Sequence, residues 1–238
     1  MATLKEHGIL MSAPMVRAIL AGTKTQTRRG VLGATGAFWD HAAWRPVLSP
    51  DGSGIVEWAT DGGTAPGPQP KAPHGPVGRR LWVRETWRTE ELQSGQDGVR
   101  FAADDVFAPI DNTEGAAEDW VIAHNNGARA AKWKPSIHMP RWASRITLEV
   151  TRVRVERVGD ISEEDARAEG VDWAAPYYTA AELRRRLDED DREDPREVGY
   201  SSGSFARQNY VKLWDEINGA GSFAASPWVW VYDFRRVG

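Results

Sequence analysis

The chain has 238 residues, with 30 basic and 34 acidic side chains, 12 tryptophans and no cysteine. This length allows one large domain or two small ones, and it can bury a core without metal or disulfide support. The absence of cysteine excludes a disulfide scaffold, a thiolate zinc site and a cysteine nucleophile. The net charge of −4 excludes a uniformly basic nucleic-acid coat but not local basic patches.

Membrane insertion and secretion are not expected. No apolar run approaches the ~20 residues needed to cross a bilayer, and the N-terminus lacks the basic and apolar profile of a signal peptide. We therefore expect a cytoplasmic protein with no membrane partner, while its oligomeric state stays open.

Charge is unevenly distributed along the chain. Segments 13–29, 71–88 and 132–158 are basic, and the last of them has seven bases against two acids. Segment 160–197 instead has fourteen acids against six bases. The overall charge thus averages a basic body with an acidic segment, which we interpret as a solvated helical face rather than a regulatory or mimicry element.

The first half of the chain shows two strands, a helix and two irregular stretches. Gly8–Ser12 is predicted as a strand, and Ala13–Ala21 follows as an amphipathic helix. Residues 49–78 are rich in glycine and proline, which predicts a loop. Leu81–Trp87 alternates as a strand, and residues 88–131 are polar and irregular.

The second half begins with a long alternating strand over Ser144–Val158. Its parity changes at Thr151/Arg152, which suggests a β-bulge. Four further elements are predicted: a short helix with Ser162 as N-cap that ends at Gly170, a charged helix from Thr179, a helix over Phe205–Asn218, and a strand whose Trp228, Trp230, Tyr232 and Phe234 share one face.

These elements favour one mixed α+β domain over residues 1–238. Strands occur near both termini with helices between them, and the chain shows neither a βαβ rhythm nor an internal repeat. The simplest architecture is a small β-barrel with flanking helices and long insertions, in which the terminal strands pair in one sheet.

Gly22–Arg29 is the densest polar cluster of the chain, with three cations and three hydroxyls. Lys24 and Thr27 can meet there only if the chain turns, because an extended strand would send them to opposite faces. In such a turn, burial beside Arg28 or Arg29 would lower the pKa of Lys24 and let it take the hydroxyl proton. The other interpretation is an anion-binding or merely solvated basic loop.

Four blocks of sequence resemble the ASCH-domain proteins often carried by phages and prophages. The blocks are Ile9–Arg29, Gly78–Trp87, Trp133–Gly170 and Tyr210–Arg235. The resemblance implies a PUA-like β-barrel related to RNA-binding modules. Between the blocks, 30–77, 88–131 and 171–204 would be insertions.

The family motif G-x-K-x-x-E-x-R is matched at Gly22, Lys24 and Arg29, with Thr27 in place of the glutamate. Small bacterial ASCH enzymes that hydrolyse N4-acetylcytidine share this threonine and use a glutamate from a later short helix, which aligns with Glu169. The resemblance implies that Lys24 activates Thr27 for attack on the acyl carbonyl and that Glu169 protonates the leaving amine. Arg29 would stabilise the oxyanion or form a structural ion pair.

The remaining candidate substrate-binding residues each have a structural alternative. Glu85 lies on an otherwise apolar strand face, so it needs a partner, for which Lys24 or an arginine of segment 24–29 is expected. Trp133 and Trp142 flank a basic, proline-bounded loop suited to base stacking, although packing is the other interpretation. Ser12 is a substrate ligand or a helix N-cap, and His138 lines the pocket or packs beneath the loop.

The sequence therefore predicts an amidohydrolase that acts on an N4-acylated cytosine in a nucleoside or in RNA. No cofactor is expected, and no metal, because the five histidines lack ligand spacing. A non-catalytic module that binds RNA or a modified base is the first alternative. A ribonuclease is the second, and it lacks an obvious histidine pair for acid–base catalysis.

Overall fold

The computed structural model describes residues 6–32, 45–60, 63–65, 70–110, 114–125, 132–171 and 205–238. The helix predicted from Thr179 and most of the acidic segment 160–197 lie outside the described residues. The strands are β1 (His7–Leu10), β2 (Gln26–Gly30), β3 (Arg45–Leu48), β4 (Ile55–Thr60), β5 (Gly63–Ala65), β6 (Arg80–Arg84), β7 (Trp87–Glu91), β8 (Asp97–Phe101), β9 (Phe107–Pro109), β10 (Thr147–Arg157) and β11 (Trp228–Arg236). The helices are α1 (Ala13–Leu20), α2 (Glu114–His124), α3 (Glu163–Ala168) and α4 (Ala206–Asn218).

A five-stranded sheet in the order β1-β6-β10-β11-β2 organises this mixed α+β fold. β1 runs parallel to β6, and the other neighbours are antiparallel. The terminal strands β1 and β11 share the sheet as predicted, but β6 and β10 separate them, so the expectation that they pair directly is wrong. Within the described residues the sheet is open, with β1 and β2 as its edges, and is not a closed barrel.

Each face of β11 contributes to a different part of the core. The four aromatic residues predicted to share a face do so, since Trp228, Trp230, Tyr232 and Phe234 all belong to the cluster that contains α1 and β6. Val229 and Val231 point the other way and pack with α3 and α4. This two-sided burial explains why the strand is continuously apolar from Trp228 to Tyr232.

The predicted bulge in β10 is confirmed. The register with β11 shifts between Val150 and Arg152. Because the bulge inserts one residue, Val150 and Val153 both reach the same hydrophobic cluster although their positions differ in parity.

Two regions that composition marked as irregular contain regular structure. The predicted loop 49–78 holds β4 and β5, which form a small sheet with β3, and segment 88–131 holds β8, β9 and α2. The loop prediction fails at Ile55–Thr60 because glycines and prolines on either side outweigh a short run of strand-forming residues. Among the described helices none has the length and apolar character to cross a membrane.

Candidate active site

A turn after α1 positions Lys24. The helix ends at Leu20, and Gly22 adopts a left-handed φ of 76°, which reverses the chain before β2 starts at Gln26. Lys24 then forms an isolated antiparallel bridge with Glu169, 145 residues further along the chain.

Glu169 is positioned by α3. The Ser162 hydroxyl accepts the Asp165 N–H at 3.0 Å, which confirms the predicted N-cap, and Glu169 is the C-cap residue. Gly170 follows with a φ of 78°, and a Cβ there would lie 2.7 Å from Lys24 Cβ and 2.8 Å from Ala18 Cβ. Only glycine therefore allows this helix end to approach Lys24 so closely.

Lys24 and Glu169 form a buried ion pair. Lys24 Nζ lies 2.9 Å from Glu169 Oε2, and it also donates to the carbonyl oxygens of Glu169 at 2.7 Å and of Gln26 at 2.8 Å. All three ammonium donors are thus satisfied. Burial lowers the pKa of Lys24; the Glu169 carboxylate opposes this shift, and the nearby Arg29 and Arg28 charges reinforce it.

Arg28 extends the pair into a polar network. Its Nη1 lies 3.1 Å from Glu169 Oε1, and its Nη2 lies 2.5 Å from Glu156 Oε1 and 3.2 Å from Asp165 Oδ2. Arg154 joins the same acids from β10, at 3.0 Å each from Glu156 and Asp165. The guanidinium of Arg28 is therefore paired with three carboxylates of the protein itself.

Sequence reasoning missed most of this network. The members that it did not single out are Gln26, Arg154, Glu156, Asp165 and Asp233, with Gln26 and Arg154 both bonded to Asp233. Arg154 and Glu156 alternate along a predicted strand, which was an available signal for a shared polar face. Their partners come from distant strands and could not be inferred without the topology.

Thr27 and Arg29 lie on the opposite face of β2 from Gln26 and Arg28. Thr27 pairs with Tyr232, and its hydroxyl accepts Arg29 Nη1 at 3.0 Å. Arg29 also donates to the carbonyl of Arg28 at 3.0 Å and to that of Leu10 at 3.1 Å. No hydrogen bond joins the side chains of Lys24 and Thr27 among the described residues, and Thr27 is fully buried.

A cleft of about 560 Å³ opens along the free edge of β2, between α1 and α4. Its polar lining includes Ser12, Arg28, Arg29, Glu169 and Tyr210. Ser12 occupies the N-cap position of α1 without a side-chain capping bond, so its hydroxyl is available at this wall. Lys24 and Thr27 lie behind the lining rather than in it.

The free edge of β2 also presents backbone groups to this cleft. Thr25 O accepts from Phe234 and Val31 N donates to Trp228, so the odd-numbered residues face β11. In an antiparallel ladder the backbone groups of successive residues point alternately toward and away from the neighbouring strand, so the N–H of the even-numbered Arg28 points away from β11. An N–H at such an edge can stabilise an oxyanion.

Glu85 is buried as predicted, but the expected partner is wrong. Its carboxylate forms a two-pronged pair with Arg145, at 2.9 and 3.0 Å, and Arg145 continues to Asp104 at 2.8 Å. The guanidinium also lies 3.9 Å from the centre of the Phe101 ring. Arg145 precedes β10, which pairs with the strand before Glu85, and this adjacency replaces the expected contact with segment 24–29.

His138, Trp133 and Trp142 line a second cavity, of about 720 Å³, and not the cleft beside β2. His138 is exposed, so the interpretation as a packed histidine is wrong. Trp142 is partly buried and contacts Trp87 edge-on, with ring centres 5.7 Å apart.

In the part of the chain that the structure describes, no three acidic or histidine side chains come together as a candidate metal site. No protein-family model, no curated protein and no solved structure matches the chain.

Proposed function

We propose that this protein is an ASCH-type amidohydrolase that removes the acyl group from an N4-acylated cytosine in the cleft beside β2. The observation that carries the proposal is the contact of Lys24 with Glu169, because Glu169 lines the cleft and the pair is buried. Two residues that the family resemblance selects, 145 positions apart, thus meet at one wall of a cavity.

A PUA-like architecture belongs to the same proposal. Its support is the approach of the two sheet edges, where the Arg29 side chain of β2 reaches the carbonyl oxygen of Leu10 in β1. A side chain can bridge the two edge strands only if the sheet is strongly curved, as it is in a β-barrel.

The proposed reaction starts with proton transfer inside the ion pair. Moving a proton from Lys24 Nζ to Glu169 Oε2 across 2.9 Å converts two buried charges into an amine and a carboxylic acid. Burial lowers the pKa of Lys24 and so favours its neutral amine. The site then holds a base and an acid side by side.

Acyl transfer follows from these two groups. The neutral Lys24 accepts the Thr27 hydroxyl proton while Thr27 Oγ1 bonds to the acyl carbon, and Glu169 protonates N4 as the carbon–nitrogen bond breaks. Water that gives its proton to Glu169 then attacks the acyl ester, and as the carbon–oxygen bond breaks the Lys24 ammonium returns its proton to Thr27 Oγ1. This route requires Lys24 Nζ to leave one of its present acceptors for Thr27 Oγ1, and Arg29 to release that oxygen. The freed guanidinium would stabilise the developing oxyanion beside the Arg28 amide.

The test is release of cytidine from N4-acetylcytidine. We expect turnover by the wild type, a loss of about 100-fold or more in Glu169→Gln, and a comparable loss in Thr27→Ala. Glu149→Gln, in an exposed ion pair with Arg235, is the matched control and should keep full turnover. No turnover by the folded wild type would overturn the proposal, and full turnover by Thr27→Ala would overturn the mechanism.

A non-catalytic binder of a modified base is the second candidate. The specific observation that favours it is that every Nζ donor of Lys24 is occupied while Thr27 is fully buried, an arrangement poised for binding rather than for attack. Tight binding of N4-acetylcytidine without turnover would select this candidate.

A further inference from the structure

The second cavity has aromatic walls and basic groups. It is enclosed by α2, by the segment around Trp133 and by Trp87, and its volume of about 720 Å³ accommodates a ring system. The indole of Trp133 is 44% exposed. Ile122 of α2 is more exposed still and lines the same cavity.

This cavity and the cleft beside β2 share a thin wall. Trp87 and Lys134 form a backbone bridge, with N–H to carbonyl distances of 3.2 Å from Trp87 and 2.7 Å from Lys134. Trp87 and Lys134 line the second cavity, whereas Thr86 and Ser136 line the cleft. Residues that are only one or two positions apart in the chain therefore line different cavities, so the two cavities are neighbours.

Cations accompany the indole rings. The Arg88 guanidinium lies 4.7 Å from the centre of the Trp133 ring, and Lys134 Nζ lies 4.8 Å from that of Trp87. Lys132 and Lys134 line the cavity together with one acid, Asp119. Stacking surfaces combined with positive charge are what a nucleobase and its phosphate require.

We infer that the second cavity binds the base adjacent to the reacting cytosine, so that the substrate class extends to single-stranded polynucleotides, which bind more tightly than a free nucleoside. This rests on the proposed function for the position of the reacting base. Trp133 is the stacking surface, and Lys132 lies where it can neutralise a phosphate. The residues that build the cavity come largely from α2 and segment 132–142, outside the Lys24–Glu169 site.

The experiment measures binding of unmodified strands, which needs no chemistry. Fluorescence anisotropy would follow labelled five-nucleotide RNA and DNA that each contain one central cytidine, and cytidine monophosphate would serve as competitor. We expect at least tenfold tighter binding of a pentanucleotide than of the mononucleotide, and a loss of about tenfold in Trp133→Ala for the pentanucleotide only. The RNA and DNA arms identify the polymer that the cavity accepts.

Two variants sharpen the result. Trp133→Phe keeps a stacking ring and should retain most of the affinity. Trp82→Ala is the control. Trp82 is a half-buried tryptophan with the Arg84 guanidinium 5.3 Å from its ring centre, but it lines neither cavity. Its removal should leave binding unchanged.

Equal affinity for pentanucleotide and mononucleotide, or unchanged pentanucleotide binding in Trp133→Ala, would overturn the inference. This failure is distinguishable from failure of the proposed function, because turnover of N4-acetylcytidine is measured on the free nucleoside. A protein that hydrolyses the nucleoside but binds strands independently of Trp133 would retain the first proposal and lose the second.

Discussion

Arg29 bonds the Thr27 hydroxyl with one guanidinium nitrogen and the Leu10 carbonyl, on the opposite edge strand, with the other. One side chain therefore links the curvature of the central sheet to the orientation of the candidate nucleophile. A planar, five-donor group is suited to this task, since its donors point in fixed, different directions.

Replacing Arg29 with lysine should uncouple these two contacts. A lysine cannot span three acceptors with fixed geometry, so we expect kcat/KM for N4-acetylcytidine to fall at least tenfold, while the free energy of unfolding falls by only about 1 kcal/mol. Arg235→Lys, on the exposed end of β11, is the control and should behave as the wild type. Unchanged turnover in Arg29→Lys would show that Arg29 has no part in the reaction.

Removing both charges of the Lys24–Glu169 pair should cost less stability than the two single removals added together. Glu169→Gln leaves the Lys24 ammonium buried without a carboxylate, and Lys24→Met leaves Glu169 with Arg28 alone, so we expect each to lower the free energy of unfolding, by about 3 kcal/mol for Glu169→Gln. In the double variant Arg28 keeps Glu156 and Asp165 as partners, so the loss should be clearly smaller than the sum of the two. Urea denaturation of the four proteins measures this coupling, and strict additivity would contradict it.

Gly170 and Gly22 form a matched pair of left-handed glycines at the site. Gly22→Ala should cost only the backbone penalty of about 1 kcal/mol, because no atom lies within 4 Å of the added methyl group. Gly170→Ala adds contacts below 3 Å with Lys24 and Ala18, so we expect a larger loss of stability together with reduced turnover. Equal effects of the two substitutions on stability would refute the close approach.

Neutralising Glu85 should destabilise the fold, although Glu85 has no contact with the Lys24–Glu169 pair. Glu85→Gln removes the buried charge that pairs with the partly buried Arg145 and leaves that guanidinium with Asp104 alone, and we expect a loss of about 2 kcal/mol in the free energy of unfolding. The same change at Glu149, paired with the exposed Arg235, should cost less than about 1 kcal/mol. Thermal or urea unfolding distinguishes the two, and a loss at Glu85 as small as that at Glu149 would contradict the pairing.

His74 should make stability depend on pH. Burial, together with the charges of Arg29, His7 and Arg79, lowers the pKa of His74 to about 4 from 6.5. Between these values the unfolded chain binds the proton and the folded protein does not, so the free energy of unfolding falls as the pH drops from 6.5 toward 4. The total effect of this group is about 3 kcal/mol.

His74→Phe isolates that contribution because it keeps a ring beside Tyr232, which His74 contacts edge-on at 5.5 Å. Its stability relative to the wild type should rise by about 2–3 kcal/mol on going from pH 7 to pH 4.5. A constant difference between the two proteins over this range would exclude His74 as the titrating group. Replacement of the exposed His138 is the control.

Local patterns in the sequence were sufficient for the elements that frame the site. The helix after β1, the bulge in β10, the N-cap at Ser162 and the aromatic face of β11 are all present as predicted. Each depends on side-chain periodicity or on capping within a few residues, where local rules are strong.

Long-range partners could not be predicted in the same way. Glu85 was expected to pair with segment 24–29, yet the strand order brings Arg145 to it instead. Likewise, a turn was considered within Gly22–Arg29, whereas Gln26–Gly30 is a strand held by β11, so Thr27 lies on the opposite face from Gln26 and Arg28. Composition also concealed β4, since its flanking glycines and prolines predicted a loop.

The pairing of β2 with β11 has a consequence for the order in which the protein is made. Gln26 pairs with Asp233, 207 residues further along the chain, so β2 can join the sheet only after β11 has been synthesised. Contacts between such distant residues slow folding, because the loop between them must close before they form. The β2 wall of the cleft therefore gains its neighbour in the sheet only once β11 is present, and a fragment that ends before Trp228 would lack this support.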